Sequence, residues 1–573
     1  MELLEYFKEL TIHPKNAKEL KGLILQLAIQ GKLTKKWRNE NKLKIKEEDI
    51  FNKIQDAKKR ILIESKVKKE KPVEPFNNND TEFELPKNWI WSRFASFAYI
   101  VRGGSPRPIK SYLTDDSKGL NWIKIGDTKG VTKYIETTSE KILKEGLKKS
   151  RYVKPSDFIL SNSMSFGRPY IMKTDGCIHD GWLLIREPSE IIFQDYLYYL
   201  LLAPYTYSSF KDSAAGGVVQ NLNIEKVRQT LLPIPPLEEQ KAIVEIVEQL
   251  FTEVEQLEAQ TKLRIQLKED YVSSALRNLS TQPTEQAWAS LIPHFKEFFT
   301  EKSAVKKLRE TVLQLAVQGK LTKKWRVENP DVEPASVLLE KIKAEKEQLI
   351  KDKKIKKEKP LAPITADEIP YELPEGWEWC HLGEIAEKLG AGSTPSGGKT
   401  AYVDDGIKFF RSQNIYNDGI RIKDIAQIRI STHNKMSGTH IYPKDILLNI
   451  TGGSIGRSSL IPDDFDAGNV SQHVAIVRLI DRDMRHFIHN YIISPEFQDR
   501  IMDVQVGVSR EGLSMTKLKV FPTPVPPLSE QKEIVEIVNA LMAFCDQLEE
   551  AIEESTIQIE QLMQSCLKEV FEG

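Results

Sequence analysis

Cysteine is scarce in this sequence. Of 573 residues only four are cysteine: Cys177, Cys380, Cys545 and Cys566. They lie far apart, with no CxxC and no neighbouring histidine pair. That argues against a structural zinc site and a disulfide framework, and points to a reducing cytoplasm. Histidine is scarce too, with nine scattered copies. His486 and His489 share a helical face, but no carboxylate-rich constellation surrounds them, so no metal site is expected. Long apolar runs are missing. The most apolar stretch, around Leu197–Ala203, falls far short of the ~20 residues that cross a bilayer. No secretory signal pattern opens the chain.

Catalytic signatures are missing as well. No G-x-G-x-x-G follows a predicted strand, and no Ser-His-Asp or Cys-His arrangement can be placed. The tetrapeptide of amino-methyltransferases, Asn or Asp followed by Pro-Pro-aromatic, is absent; Ile234-Pro235-Pro236-Leu237 fails at both ends. Ser393–Thr400 comes nearest to a phosphate-binding loop, but Ser393 stands where the first glycine belongs. The AYVDDGIKFF that follows does not predict the long helix such a loop opens. An ATPase built on this loop is one reading of the sequence.

Net charge is zero, with 82 basic against 82 acidic residues, yet the charge is unevenly spread. Residues 32–75 carry 15 Lys/Arg against 8 Asp/Glu, and 320–362 carry 13 against 8. Residues 237–260 carry one lysine against seven acids, and 528–562 one against nine. A neutral total therefore does not exclude a polyanionic partner.

The order within the chain is a tandem duplication. LKGLILQLAIQGKLTKKWR (Leu20–Arg38) returns as LRETVLQLAVQGKLTKKWR (Leu308–Arg326), offset by 288 residues. FELPKNWIWSRF (Phe83–Phe94) returns as YELPEGWEWCHL (Tyr371–Leu382) at the same offset. PIPPLEEQKAIVEIVEQLFTEVEQL (Pro233–Leu257) returns as PVPPLSEQKEIVEIVNALMAFCDQL (Pro524–Leu548), offset by 291. A period this long means duplicated domains. In each copy the prolines are expected to stop a sheet and open a helix. Ile243, Val247, Leu250, Val254 and Leu257, and likewise Ile534, Val538, Leu541, Cys545 and Leu548, step by four, three, four, three, which is a coiled-coil seam. Residues 281–300 hold Pro283 and Pro293 and are expected to turn the chain. The helix from Leu237 and the one beginning near Lys302 would then run antiparallel, with acidic helices beside basic ones.

The segments between these blocks diverge. VRGGSPRPI (Val101–Ile109) parallels LGAGSTPSGGKT (Leu389–Thr400), GLNWIKIGDTKG parallels GIKFFRSQNIYNDG, and VKPSDFILSNSMSFGRPYI parallels YPKDILLNITGGSIGRSSLI. Their loops hold residues suited to nucleic acid: Arg102, Arg107, Lys110, Ser161, Asn162, Ser163, Ser165 and Arg168 in the first, and Ser393, Lys399, Arg411, Gln413, Asn414, Asn449, Thr451, Ser454, Arg457, Gln472 and Arg510 in the second. Arg reads guanine by a paired contact, Asn and Gln read adenine, and Ser, Thr and Lys hold phosphates.

These motifs resemble the specificity (S) subunits of type I restriction-modification systems. The likeness rests on the PIPPLEEQ and PVPPLSEQ elements opening long helices, the paired LQLAxQGKLTKKWR and ELPxxWxW blocks, and the GGSPRP and GAGSTPSGG loops. It implies an α+β fold: two α/β target recognition domains joined by long antiparallel coiled-coil helices, with internal pseudo-twofold duplication. The expected parts are an N-terminal helical region (1–79), a first recognition domain (80–236), central helices and linker (237–369), a second recognition domain (370–527) and a C-terminal helix (528–573). The N-terminal block is longer than a minimal member needs. The resemblance further implies a non-catalytic cytoplasmic subunit without cofactor or membrane. Its partners would be double-stranded DNA with a bipartite target, two modification (M) subunits using S-adenosylmethionine, and restriction (R) subunits using ATP and Mg2+. A coiled-coil adaptor that binds only proteins is the alternative.

Overall fold

The computed structural model describes residues 16–41, 47–67, 70–77, 80–162, 167–212, 222–281, 284–505 and 512–572. The chain forms two compact units, Met1–Arg264 with Gln558–Gly573, and Ile265–Ile557. Each has helices, then a mixed α/β module, then a long helix, as the duplication requires.

In the first unit the helix Asn16–Ile29 ends at Gly31, whose φ of +68° suits glycine. After the helix Glu47–Glu64, strand Ile90–Arg93 pairs antiparallel with Leu231–Ile234. This two-stranded neck holds the module, which contains two five-stranded sheets and the helices Gln194–Leu202, Pro204–Asp212 and Ile224–Gln229. The second unit repeats the plan. Its neck is Glu378–His381 with Pro522–Val525, and its module has a four-stranded and a five-stranded sheet. Helices Arg485–Ile492, Pro495–Gln505 and Met515–Lys519 complete it.

Pro235, Pro236, Pro526 and Pro527 stand between strand and helix as expected, but Pro233 and Pro524 correct the expectation that the prolines lie beyond the sheet. Pro233 pairs with Trp91 and Pro524 with Trp379, inside the neck strands. A two-stranded ribbon has two edges, so a residue without an N–H is tolerated where that side meets no third strand.

From each neck runs a helix of 45 residues, Leu237–Thr281 and Leu528–Glu572, about 67 Å at 1.5 Å per residue. At the start of each lies a buried carboxylate. Glu239 accepts hydrogen bonds from Thr34 Oγ1 (2.7 Å), Arg38 Nη1 (2.5 Å) and Trp89 Nε1 (2.9 Å). Glu530 accepts from Thr322 Oγ1 (2.6 Å), Arg326 Nη1 (2.5 Å) and Trp377 Nε1 (2.9 Å). Arg38 also donates to the Gly31 carbonyl and Arg326 to that of Gly319. A Cβ on Gly31 would lie 2.5 Å from Pro86 Cγ, and on Gly319 2.6 Å from Pro374 Cγ. The three repeated sequence blocks therefore meet at one joint in each unit.

The lysine-rich tails also have a structural part. Glu70 lies between Lys58 (3.1 Å) and Arg228 (2.9 Å), and Glu358 pairs with Lys519 in the second unit. Burial pushes the Lys58 amine below its usual range, against the pull of Glu70.

Ile243, Val247 and Val254 are buried, with Leu250 and Leu257 half-buried. Ile534, Val538 and Cys545 are buried, with Leu541 and Leu548 half-buried. The seam is covered differently from a simple pair of long helices. Ile243 and Val247 join the module core, and Val254 packs with Ala17, Leu20 and Leu23 of the first helix. Ile534, Val538 and Cys545 share one core with Val305, Leu308 and Val312.

Helix directions correct a second expectation. Ser303 Oγ bonds Glu269 (2.8 Å) and Lys307 bonds Ser273 Oγ (2.7 Å). Both numbers rise together, so the helix Lys302–Val317 runs parallel to the end of Leu237–Thr281. The linker reverses twice: after the helix Thr284–Leu291, Phe298 stacks on Tyr271 at 4.2 Å before the next helix begins. Against Leu528–Glu572 the sense is opposite, with Lys302 on Glu553 (3.1 Å) and Arg309 on Asp546 (2.7 Å). Within this unit the two long helices are thus antiparallel, and acidic faces do meet basic ones.

Removing the buried acceptor should undo the joint. Glu239→Ala is expected to destabilise the first unit, and Glu530→Ala the second, by about 3–5 kcal/mol. Hydrogen exchange resolved along the chain checks this. Lost protection confined to the substituted unit is expected, and unchanged protection contradicts the joint.

Candidate nucleic-acid interface

Both modules present the same loop end. In the first, the central strand Trp182–Arg186 pairs with Tyr99–Arg102 on one side and Phe158–Ser161 on the other. In the second, Val474–Leu479 pairs with Ala386–Ala391 and Ile446–Asn449. Trp182 faces Ser161 and Leu183 faces Arg102, as Val474 faces Asn449 and Ala475 faces Ala391. These registers align the two modules residue by residue.

Three loops converge where the central strand begins. The first follows Arg102 or Ala391. Gly103 N–H donates to the Trp182 carbonyl (2.8 Å) and Gly392 N–H to that of Val474 (2.9 Å). A Cβ on Gly103 would lie 2.1 Å from the His179 carbonyl oxygen, and on Gly392 2.1 Å from that of Val470. Only glycine lets these backbones approach so closely. The second loop is a hairpin, closed by Ser161 N–H on the Arg168 carbonyl (3.0 Å) and Asn449 N–H on that of Arg457 (2.8 Å). Gly167 and Gly456 turn it at φ of +79° and +85°. The third loop is His179–Asp180–Gly181 or Ser471–Gln472–His473, just before the central strand.

A fourth loop stands beside them in matching form. Lys124 N–H donates to Asp127 Oδ2 (2.8 Å), and Arg411 N–H to Asn414 Oδ1 (3.0 Å). Asn449 Nδ2 donates to the Ser412 carbonyl (2.9 Å), which ties this loop to the hairpin in the second module.

The registers bring most of the expected residues to this end. Arg168 and Arg457 occupy the same place and are exposed; each guanidinium lies over a tyrosine, Tyr170 at 5.5 Å and Tyr416 at 4.8 Å. Arg102 Nε donates to the Asp180 carbonyl (2.9 Å), and Arg107 lies 3.5 Å from the Asp180 carboxylate. Lys110, Ser393, Gln413 and Gln472 are exposed. Thr451 Oγ1 shares a hydrogen bond of 2.6 Å with His473 Nδ1. The Arg411 Nε is buried and has no protein partner.

Three expected readers have another job. Asn414 is buried, and its amide is used by Arg411 N–H and the Arg421 carbonyl. Asn449 is buried and donates to Ser412 and to Ser454 Oγ, which is thereby engaged too. They build the loops; they do not offer an amide edge to a base. Ser161 and Asn162 are likewise buried. Ser163, Ser165 and Arg510 lie outside the described residues, as does the side chain of Lys399. Ser393–Thr400 ends in a short 3-10 turn, Gly398–Ala401, and strand Tyr402–Val403 follows, so no helix opens there as a phosphate-binding loop needs.

Sequence reasoning missed Lys124, Asp180, His179 and His473. Lys124 was findable, because its segment already aligned with that of Arg411. Asp180 and Gln472 align only through the strand registers. Burial lowers the His179 imidazole pKa, although Asp180 and Asp127 pull it up. Among the described residues no group of three or more His, Cys, Asp or Glu could hold a metal ion. No described helix is long and apolar enough to cross a membrane.

The family comparison agrees with this duplicated plan. Residues 86–267 and 374–558 match the family model described as the type I restriction modification DNA specificity domain. The EcoAI specificity subunit of a type I restriction enzyme from Escherichia coli is 28% identical over 558 residues, 93% of this chain and 90% of that one. The EcoEI specificity subunit, also from Escherichia coli, is 27% identical over 576 residues, 94% of this chain and 91% of its own. The solved HsdS subunit from Thermoanaerobacter tengcongensis aligns over 86% of this chain and 98% of its own at 18% identity, with a TM-score of 0.39.

Gly103→Ala and Gly392→Ala test the loop geometry. Each is expected to cost about 1–3 kcal/mol by overpacking, read as a lower unfolding midpoint. A midpoint equal to that of the native chain would mean that the backbones do not approach as described.

Proposed function

This chain belongs to the type I restriction-modification DNA specificity family, and on that premise we propose that it is the non-catalytic, sequence-reading subunit of a DNA-methylating and DNA-cleaving complex. Each module reads one half of a bipartite double-stranded target, and the long helices fix the gap between the halves. The chain works in the cytoplasm and recruits two M subunits and R subunits. The M subunits flip adenine out of the stack and methylate N6 with S-adenosylmethionine. The R subunits supply cleavage with ATP and Mg2+. This chain itself holds no cofactor.

One observation carries this reading. The two loop ends have the same backbone and different side chains. Arg102, Lys124, Asp180 and Gly181 in the first stand where Ala391, Arg411, Gln472 and His473 stand in the second. Two frames that agree in geometry and differ in donors and acceptors suit the reading of two different base sequences. Arg168 and Arg457, common to both frames, suit a phosphate. A protein-only adaptor gives no reason for this pattern.

Mapping methylated adenines in cells that carry the chain with its M subunit tests the reading. A split motif that vanishes when the chain is deleted is expected; an adenine map indifferent to the chain rules it out. Arg168→Ala and Arg457→Ala are each expected to weaken binding to every DNA sequence alike and to flatten the dependence of log affinity on log salt by about one. Titrations at several salt concentrations measure this. An unchanged slope would exclude the phosphate role.

A further inference from the structure

The loop ends of the two modules differ most at one cluster, and the difference is concerted. In the first module Asp180 gathers two loops. Its Oδ1 accepts from Ser105 Oγ at 2.8 Å, its Oδ2 faces the Arg107 guanidinium at 3.5 Å, and its backbone carbonyl accepts Arg102 Nε at 2.9 Å. Gly103 and Gly392 make the same bond to the central strand, and Pro106 and Pro395, each three residues on, are both buried. The count from these anchors sets Arg102, Ser105 and Arg107 against Ala391, Thr394 and Ser396. The register sets Asp180 against Gln472. Two cations and an anion in one module are thus replaced together by neutral residues in the other.

Stability does not explain the charged cluster. The Arg107 side chain is 82% exposed and that of Asp180 44%, and exposed pairs of this kind contribute little. Positioning explains it better. Arg107 lies on an exposed loop, and a free guanidinium there would meet phosphates and bases alike. The Asp180 carboxylate, 3.5 Å away, draws it to one side of the loop end, and less freedom is lost when the fork meets a base. Ser105 fixes that carboxylate in turn. Partial burial pushes the Asp180 pKa up. The Ser105 hydrogen bond, a backbone hydrogen bond and the nearby His179 and Arg102 outweigh it, so the group stays ionised at neutral pH.

We propose that Asp180 is a positioning residue that holds Arg107 to read a guanine in the half-site of the first module, and that Gln472, at the same backbone position, reads an adenine in the other half-site. The chemistry follows from the fit of the arginine fork to guanine O6 and N7 and of a carboxamide to adenine N6 and N7. The inference rests on the DNA-reading role proposed above.

The test uses the full chain with its M subunit. Affinities are measured for the methylated motif and for every single-base variant of it. Arg107→Ala is expected to lower discrimination at one G·C pair of one half-site roughly tenfold to a hundredfold, leaving the other half-site untouched. Arg107→Lys keeps the charge without the fork and does not restore discrimination. Asp180→Asn keeps an acceptor for Ser105 but removes the charge; it lowers discrimination at that same pair without lowering the unfolding midpoint. Gln472→Ala relaxes an A·T pair in the other half-site alone. The untouched half-site in each variant reports that the protein is folded. Four results would overturn the inference: an Arg107→Ala motif identical to that of the native chain; equal weakening on all sequences; loss of the G·C preference on changing Asp180 but not Arg107; or an Asp180→Asn variant with full discrimination. A native chain that supports no split motif would instead defeat the underlying role, so the two failures are distinguishable.

Discussion

A buried carboxylate at the start of each long helix is the constraint on which the rest of the structure depends. Glu239 and Glu530 are 1% and 0% exposed, so each needs donors on every side. Those donors come from sequence far away: a threonine and an arginine just after the helix Asn16–Ile29 or Lys302–Val317, and a tryptophan beside the neck strand. A single acceptor therefore fixes where the first helix ends, how the neck enters the module, and where the long helix begins. Glycines at 31 and 319 let the proline and tryptophan of the neck approach the same point. The module between the neck strands also rests on the helices, through Ile243 and Val247 in its core and the Arg228–Glu70 pair, but its loop end supplies none of the carboxylate's donors.

That division explains the pattern of likeness and divergence along the chain. The repeated blocks are the parts that touch the carboxylate. The diverged segments keep what builds the loop end: glycines at 103 and 392, the glycine turns at 167 and 456, and the arginines at 168 and 457. A buried ion pair further along the central strand is also kept. Asp157 meets Arg186 at 2.8 Å and Asp445 meets Arg478 at 2.7 Å. Side chains that face outward at the loop end are free of these duties, and there the modules part.

The sequence made some of this legible and hid the rest for physical reasons. The duplication, the α+β class and the long helices were readable, because repeats and heptad spacing are local signals. The joint was visible only as conserved-looking blocks within one chain, since its contacts span 150 to 205 residues in the first unit. The direction of the helix Lys302–Val317 was misjudged because periodicity does not count chain reversals, and the linker makes two. Pro233 and Pro524 read as sheet stops, although a two-stranded ribbon accepts them at its edges. Composition pointed to polar and charged residues in the loops but could not separate those that build the backbone from those left exposed. Asn414 and Asn449 look like ideal base readers in sequence, and burial commits their amides to the backbone. The opposition of Asp180 to Gln472 had no sequence signal, because only strand pairing aligns the two.

On the proposed function, two independent readers stand on one repeated frame. The most direct measurement is the adenine-methylation map of a chain in which the first module, between its neck strands Ile90–Arg93 and Leu231–Ile234, is replaced by that of a relative with a different target. A hybrid motif is expected, with one half-site exchanged and the other half-site and the gap retained. A map in which both halves change, or in which the gap changes with the module, would contradict it.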